Sequence, residues 1–107
     1  MLMRKASIYM QDKLAGFLTE STDKTTYTFE YLNDYEGLPI SLTMPIEKKS
    51  FSYNTFPPFF DGVLPEGIML DGLLRQLKID KRDYFSQLIA VGEDLVGAVT
   101  VKPMEHE

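Results

Sequence analysis

A chain of 107 residues with 44% hydrophobic and 25% charged side chains has the size and composition of one small globular domain, here taken as 1–107. It has no cysteine, which excludes disulfides, thiolate metal sites and cysteine nucleophiles. Its net charge is −5, and its basic residues are scattered, the densest spots being the pairs Arg4-Lys5, Lys48-Lys49 and Lys81-Arg82, which read as solvated faces. An autonomous nucleic-acid binder concentrates such charge in a patch, so direct nucleic-acid binding is not expected.

The opening "MLMRKASIYMQDK" is too interrupted by polar residues for a signal peptide, and no run approaches the ~20 apolar residues of a membrane span. A cytoplasmic protein without membrane contact is expected. Residues 5–10 and 14–19 read as two strands around the polar turn Gln11-Asp12-Lys13, because Ala6, Ile8 and Met10 alternate with Ser7, Tyr9 and Gln11. In residues 25–32, Tyr27, Phe29 and Tyr31 fall on one face and Thr26, Thr28 and Glu30 on the other. Turn chemistry at 33–39 precedes a fourth alternating run, "ISLTM" at 40–44, stopped by Pro45. Residues 46–58 show no periodic element, and 47–50 reads as an exposed loop tip.

Past Pro65 the period changes. Leu70, Leu73, Leu74 and Leu77 form one stripe of an amphipathic helix, with Glu66 near its positive end. A second helix follows, capped by Asp80 or Asp83, burying Tyr84, Phe85, Leu88 and Ile89 and stopping at Gly92. "LVGAVTV" at 95–101 is a last strand ended by Pro103, and 103–107 reads as a frayed tail. The fold class is therefore α+β: a small, mainly antiparallel sheet of about five strands, with two helices inserted before the last.

Candidate chemistry is sparse. His106, the only histidine, falls in the tail, which leaves no catalytic triad and no His-based zinc site. No Walker A or kinase signature occurs. Asp61, Glu66, Asp71, Glu93 and Asp94 could supply an acid/base pair, but Asp61 and Glu66 flank a turn and a helix start, where capping calls for acids, and Asp94 sits in a helix-to-strand turn. No catalytic residue, cofactor or metal is assigned, and a non-enzyme is expected. A small-ligand site built on the acids near Gly62 and Gly92, or an accessory DNA-binding role, are lesser alternatives.

The stretch "FPPFFDGVLPEG" at 56–67 is then either core or interface. Phe59, Phe60, Val63 and Leu64 suit a short helical turn pressed inward, with at least half of the apolar groups buried. Phe56, Pro57 and Pro58 are expected at an edge or surface, since consecutive prolines cannot donate to a ladder. An aromatic on stiff backbone loses little entropy on docking. Phe56, Pro57, Pro58, Phe59 and Asp61 are accordingly the expected partner-binding residues.

That stretch, followed by the leucine-rich helix and by "LIAVGEDLVGAVTV", resembles the N-terminal subdomain of the HipA family of bacterial toxin kinases. The family carries an FF-x-x-LLPE segment and, further on, a G-x-D-x-x-GA-V segment. Both occur here in order, with Val63 in place of the first leucine. The resemblance covers nearly the whole chain but not the kinase body, as in three-component HipBST systems. It implies a HipS-like antitoxin that binds and inhibits a separate HipT-like serine/threonine kinase, with a HipB-like DNA-binding protein as a further partner. Its alternatives are the structural N-terminal subdomain of a full-length HipA-like kinase, or an assembly and repression subunit that does not itself inhibit.

Overall fold

The computed structural model describes residues 4–64, 72, 75–80, 82–92 and 98–103. Five strands, β1 (Arg4–Met10), β2 (Lys13–Glu20), β3 (Tyr27–Tyr31), β4 (Ser50–Tyr53) and β5 (Val99–Pro103), form one sheet in the order β4-β3-β2-β1-β5. Every neighbouring pair is antiparallel. Two labelled helices accompany it, α1 (Pro58–Gly62) and α2 (Tyr84–Val91). The α+β class and the five-stranded antiparallel sheet expected from the sequence are both found. Residues 72 and 75–77 are helical as well.

Local chemistry sets the hairpins. Gln11 and Asp12 both take positive φ (53° and 67°), the two-residue turn whose twist matches antiparallel strands. Residues 21–26 turn instead through side chains: the Ser21 hydroxyl accepts from the Thr25 and Thr26 amides, and Asp23 accepts from Ser21 and Thr25. Gly16 faces Tyr31 where the strands come closest, and a Cβ there would lie 2.1 Å from the Glu30 carbonyl oxygen. Any side chain would push β2 off β3.

The alternating residues of each strand build one buried face. Ala6, Ile8, Leu18, Phe29, Tyr31, Phe51 and Val101 are buried from the sheet, and Phe60, Leu64, Phe85 and Leu88 come from the helical side. Ala6, Leu18, Phe29 and Phe51 lie in one cross-strand row, so four strands contribute a single layer of core.

Several sequence expectations are corrected. The run 40–44 is not a strand; the fourth strand is β4, within the stretch that showed no periodicity. Side-chain bonding wins over the alternating pattern at 40–44. The Tyr31 hydroxyl accepts from the Ile40 amide and donates to the Met44 carbonyl. Ser41 closes a turn by accepting from the Thr43 amide on its hydroxyl and from the Met44 amide on its carbonyl. Ile40 and Met44 are buried by this route, while Leu42 between them is 97% exposed.

On α2, Asp83 is the N-cap, its carboxylate accepting from the Ser86 amide. Phe85 and Leu88 are buried as expected, but Tyr84 is exposed and Gln87 takes a buried place. Leu77 is 48% exposed and stands just before Lys78, whose positive φ turns the chain. Leu70, Leu73 and Leu74 lie outside the described residues. The last strand begins at Val99 and includes Pro103, which pairs with Ala6; residues 95–97 and 104–107 lie outside the described residues.

Candidate partner-binding surface

The segment 54–64 is built from its prolines outward. Pro57 is the N-cap with φ −58°, and Pro58 sits at the first helical position, where a fixed φ is pre-set for the helix and a missing N–H costs nothing. The Asp61 amide donates to the Pro57 carbonyl at 3.0 Å, closing the single turn of α1. That turn drives Phe60 fully into the core against Phe29, at 6.1 Å between ring centroids. Leu64 is buried behind it, while Phe59 and Val63 are partly buried against the same core.

The expected site residues divide into two layers. Pro58 and Asp61 are exposed on α1, and Phe59 is half-buried beside them. Phe56 and Pro57 lie beneath, a correction to their expected place at an edge or surface. Phe56 is 8% exposed, wedged edge-on against Tyr27 at 5.3 Å and tilted against Tyr84 at 5.6 Å. It fills the gap where β3 meets α2, so burial there outweighs presentation. The other acids considered for chemistry, Glu66, Asp71, Glu93 and Asp94, lie outside the described residues, as does His106.

A polar constellation missed in the sequence occupies the same side of the sheet. Arg4, Glu20, Tyr27 and Tyr53 form one cross-strand row on the core face. Arg4 Nε donates to Glu20 Oε1 at 2.6 Å, and the Tyr27 hydroxyl donates to Glu20 Oε2 at 2.9 Å. The remaining guanidinium nitrogens reach α2, donating to Asp83 Oδ1 and to Ser86 Oγ, each at 2.7 Å. Arg4 also lies over the Phe85 ring, 5.0 Å from its centroid. One arginine thereby joins β1, β2 and α2, and Glu20, 2% exposed, has both carboxylate oxygens bonded, the second bringing in β3 through Tyr27.

The electrostatics follow the geometry. Burial works against the Asp83 carboxylate, yet hydrogen bonds from Arg4 and Ser86 prevail and hold its pKa below the usual carboxylate value. Burial, then the bond to Glu20, pushes the Tyr27 phenol up to about 12. The signal was present in the sequence: Arg4 shares parity with Ala6 and Ile8, and Glu20 with Leu18. A charge on the apolar parity of two adjacent strands announces a buried pair. Glu20, Ser86 and both Asp83 oxygens already engage the guanidinium, and a cleft of about 350 Å³ lies beside it between β1 and α2.

A second missed feature is apolar and exposed. Leu42 and Leu38 (58% exposed) stand on the loop between β3 and β4, held by the Tyr31 bonds, by Tyr35 donating to the Leu38 carbonyl, and by parallel Tyr31–Tyr35 stacking at 5.8 Å. Among the described residues, no group of three or more His, Asp or Glu side chains is placed to hold a metal ion. No described helix is long and apolar enough to cross a membrane.

Fold and surface together define a small α+β domain built on one antiparallel sheet, with a buried polar staple under its terminal helix. Residues 6–102 match the family described as the HipA N-terminal domain, and the chain belongs to that family. It is 34% identical to a Haemophilus influenzae protein described as uncharacterized, over 94% of this chain and 93% of that one. It is 30% identical to the Shewanella oneidensis serine/threonine-protein kinase toxin HipA, over 90% of this chain but 22% of the kinase. A solved N-terminal domain of HipA toxin superposes with a TM-score of 0.78 at 29% identity, covering 100% of this chain and 98% of that domain. The Shewanella oneidensis HipA, HipB and operator DNA complex contains a chain matched with a TM-score of 0.76 at 26% identity, over 94% of this chain and 24% of that one. The likeness is to the N-terminal domain, and the chain spans about a fifth of the Shewanella kinase's length.

Proposed function

We propose that the chain is a HipS-like antitoxin that binds and inhibits a separate, HipT-like kinase in the cytoplasm, with a HipB-like DNA-binding protein in the same complex. The observation that carries this is a contrast in coverage. The same domain accounts for 93% of the Haemophilus protein and for 22% of the Shewanella kinase, so it occurs both as nearly a whole protein and as one part of a kinase. A domain supplied separately can dock where a fused one sits. Inhibition then requires tighter binding to an inactive kinase state than to the active one.

The outward layer of α1 (Pro58, Phe59, Asp61) is the proposed contact, with Phe56 and Pro57 setting its position from below. Burial of Phe56 makes Phe56→Ala a poor probe of contact, because truncating a packed phenylalanine costs about 3 kcal/mol of stability. Phe59→Ala and Asp61→Lys act on the exposed layer instead. The deciding experiment adds the purified chain to the kinase encoded beside it and follows phosphorylation. Suppression at stoichiometric concentration, relieved at least about tenfold by Asp61→Lys with unchanged thermal stability, is the expected result. Full activity despite binding would make the chain an assembly or repression subunit.

The 22% and 24% coverages favour a second reading, in which these residues are the structural N-terminal subdomain of a longer kinase. The mass of the endogenous protein separates the two.

A further inference from the structure

The sheet has two edges, and hydrogen-bond parity tells which backbone groups each turns outward. On β5, the Gln11 amide bonds the Ala98 carbonyl, so Ala98, Thr100 and Lys102 pair inward while Val99, Val101 and Pro103 face out. Two of those three offer no free amide. The Val101 N–H is taken by the Gly92 carbonyl at 2.9 Å, and Pro103 has none.

On β4 the parity is fixed by the Tyr31 amide donating to the Lys49 carbonyl at 2.8 Å. Phe51 and Tyr53 therefore pair inward with β3, and Ser50 and Ser52 turn their amides and carbonyls outward. Both serines are exposed, and no backbone group among the described residues meets them. β4 carries neither a proline nor a register shift, two devices by which proteins blunt an edge.

Beside this edge lies a groove of about 400 Å³ lined by Thr43, Pro45, Lys48, Phe51, Ser52 and Tyr53. Lys48 rests over the Phe51 ring at 5.2 Å, and no described carboxylate pairs with it. At the groove's rim the Ser41 turn holds Leu42 in solvent, 97% exposed.

We propose that the β4 edge is a strand-addition site for an extended, acidic segment of the partner kinase, and this rests on the antitoxin reading above. Backbone bonds to Ser50 and Ser52 supply the pairing, as in other strand-adding recognition modes. Alternate side chains of the incoming segment enter the groove, an acid meets Lys48, and an apolar residue covers Leu42. The site shares no residue with the α1 surface, so the two can be tested apart.

The test is residue-resolved amide exchange of the chain alone and in complex with that kinase. In the free protein, Ser50 and Ser52 exchange fast while Phe51 and Tyr53 are protected by β3. In the complex, both serine amides slow at least about tenfold and the alternation disappears. Ser52→Pro, which removes one outward donor, and Lys48→Glu, which reverses the groove's charge, each weaken the complex about tenfold or more. A complex in which Ser50 and Ser52 exchange as in the free protein overturns the strand-addition site and leaves the antitoxin reading standing. Failure to form any complex overturns both. Slowing that depends on the chain's own concentration, without kinase, gives the edge to a second copy and overturns the assignment.

Discussion

The two edges of the sheet are treated oppositely. β5 is closed by the Gly92 carbonyl at the end of α2 and by a proline within the strand, whereas β4 is left with two outward-facing serines. Closure of β5 depends on where α2 sits, and α2 is seated by Arg4, which bonds its cap Asp83 and its Ser86 while holding Glu20 on β2. The polar staple and the closed edge are therefore one device. Among the described residues no such bond reaches the outward groups of β4, which is held by its pairing with β3 and by Phe51, packed in the core against Tyr31.

Breaking the staple should erase much of this difference. Arg4→Ala leaves the Glu20 carboxylate buried without its cation and removes the side-chain bonds that tie Asp83 and Ser86 of α2 to the sheet. A loss of about 3 kcal/mol is expected in denaturant unfolding, the lower end for a broken buried pair because Arg4 is partly exposed. The Val101 amide should at the same time exchange faster, as the closed edge opens. Arg4→Lys should recover little, since a single ammonium cannot bond Glu20, Asp83 and Ser86 together.

A smaller break acts on the closing contact itself. Gly92 adopts an ordinary helical φ of −58°, so its identity is not a matter of backbone freedom. Close approach explains it: a Cβ there would lie 2.0 Å from the Val101 carbonyl oxygen. Gly92→Ala should cost about 2 kcal/mol and speed exchange at Val101, with the β4 amides unaffected.

Much of the sheet was legible in the sequence because its strands carry clean period-two patterns, and the Gln11-Asp12 turn is fixed locally. The HipA segments at 56–67 and 92–99 placed the family for a similar reason, being contiguous. What escaped was decided by contacts far apart in the chain. Residues 40–44 alternate like a strand, but Tyr31 from β3 claims their backbone. "SFSY" at 50–53 also alternates, yet only Phe51 is buried, and so short a run beside two lysines carries little periodic signal. Phe56 looked presented because its neighbours are prolines, whereas Tyr27 and Tyr84 enclose it.

Tyr27 gives a pH-dependent way to sharpen the contrast. Its folded pKa of about 12 exceeds the ordinary phenol value near ~10, so the fold favours the neutral hydroxyl that donates to Glu20. The sign follows: this contribution is complete below about pH 10 and is lost as pH rises through 12. Tyr27→Phe should cost about 1 kcal/mol at neutral pH and flatten stability across that alkaline window. The exchange rates at Ser50 and Ser52 should not follow it.

The smallest expected effect is at the open edge. Ser52→Pro removes an amide that makes no ladder bond, on a strand whose inward pairs are Phe51 and Tyr53. Pro103 already occupies the equivalent outward position on β5. The cost should therefore stay below about 1 kcal/mol in thermal unfolding, mostly from the constraint on φ. The matched control is proline at Thr28, whose amide faces β2; there the same residue removes an inward bond from a central strand and should cost about 3 kcal/mol or more. Similar costs at the two positions would mean that Ser52 is paired inward, and the asymmetry between the edges would then be lost.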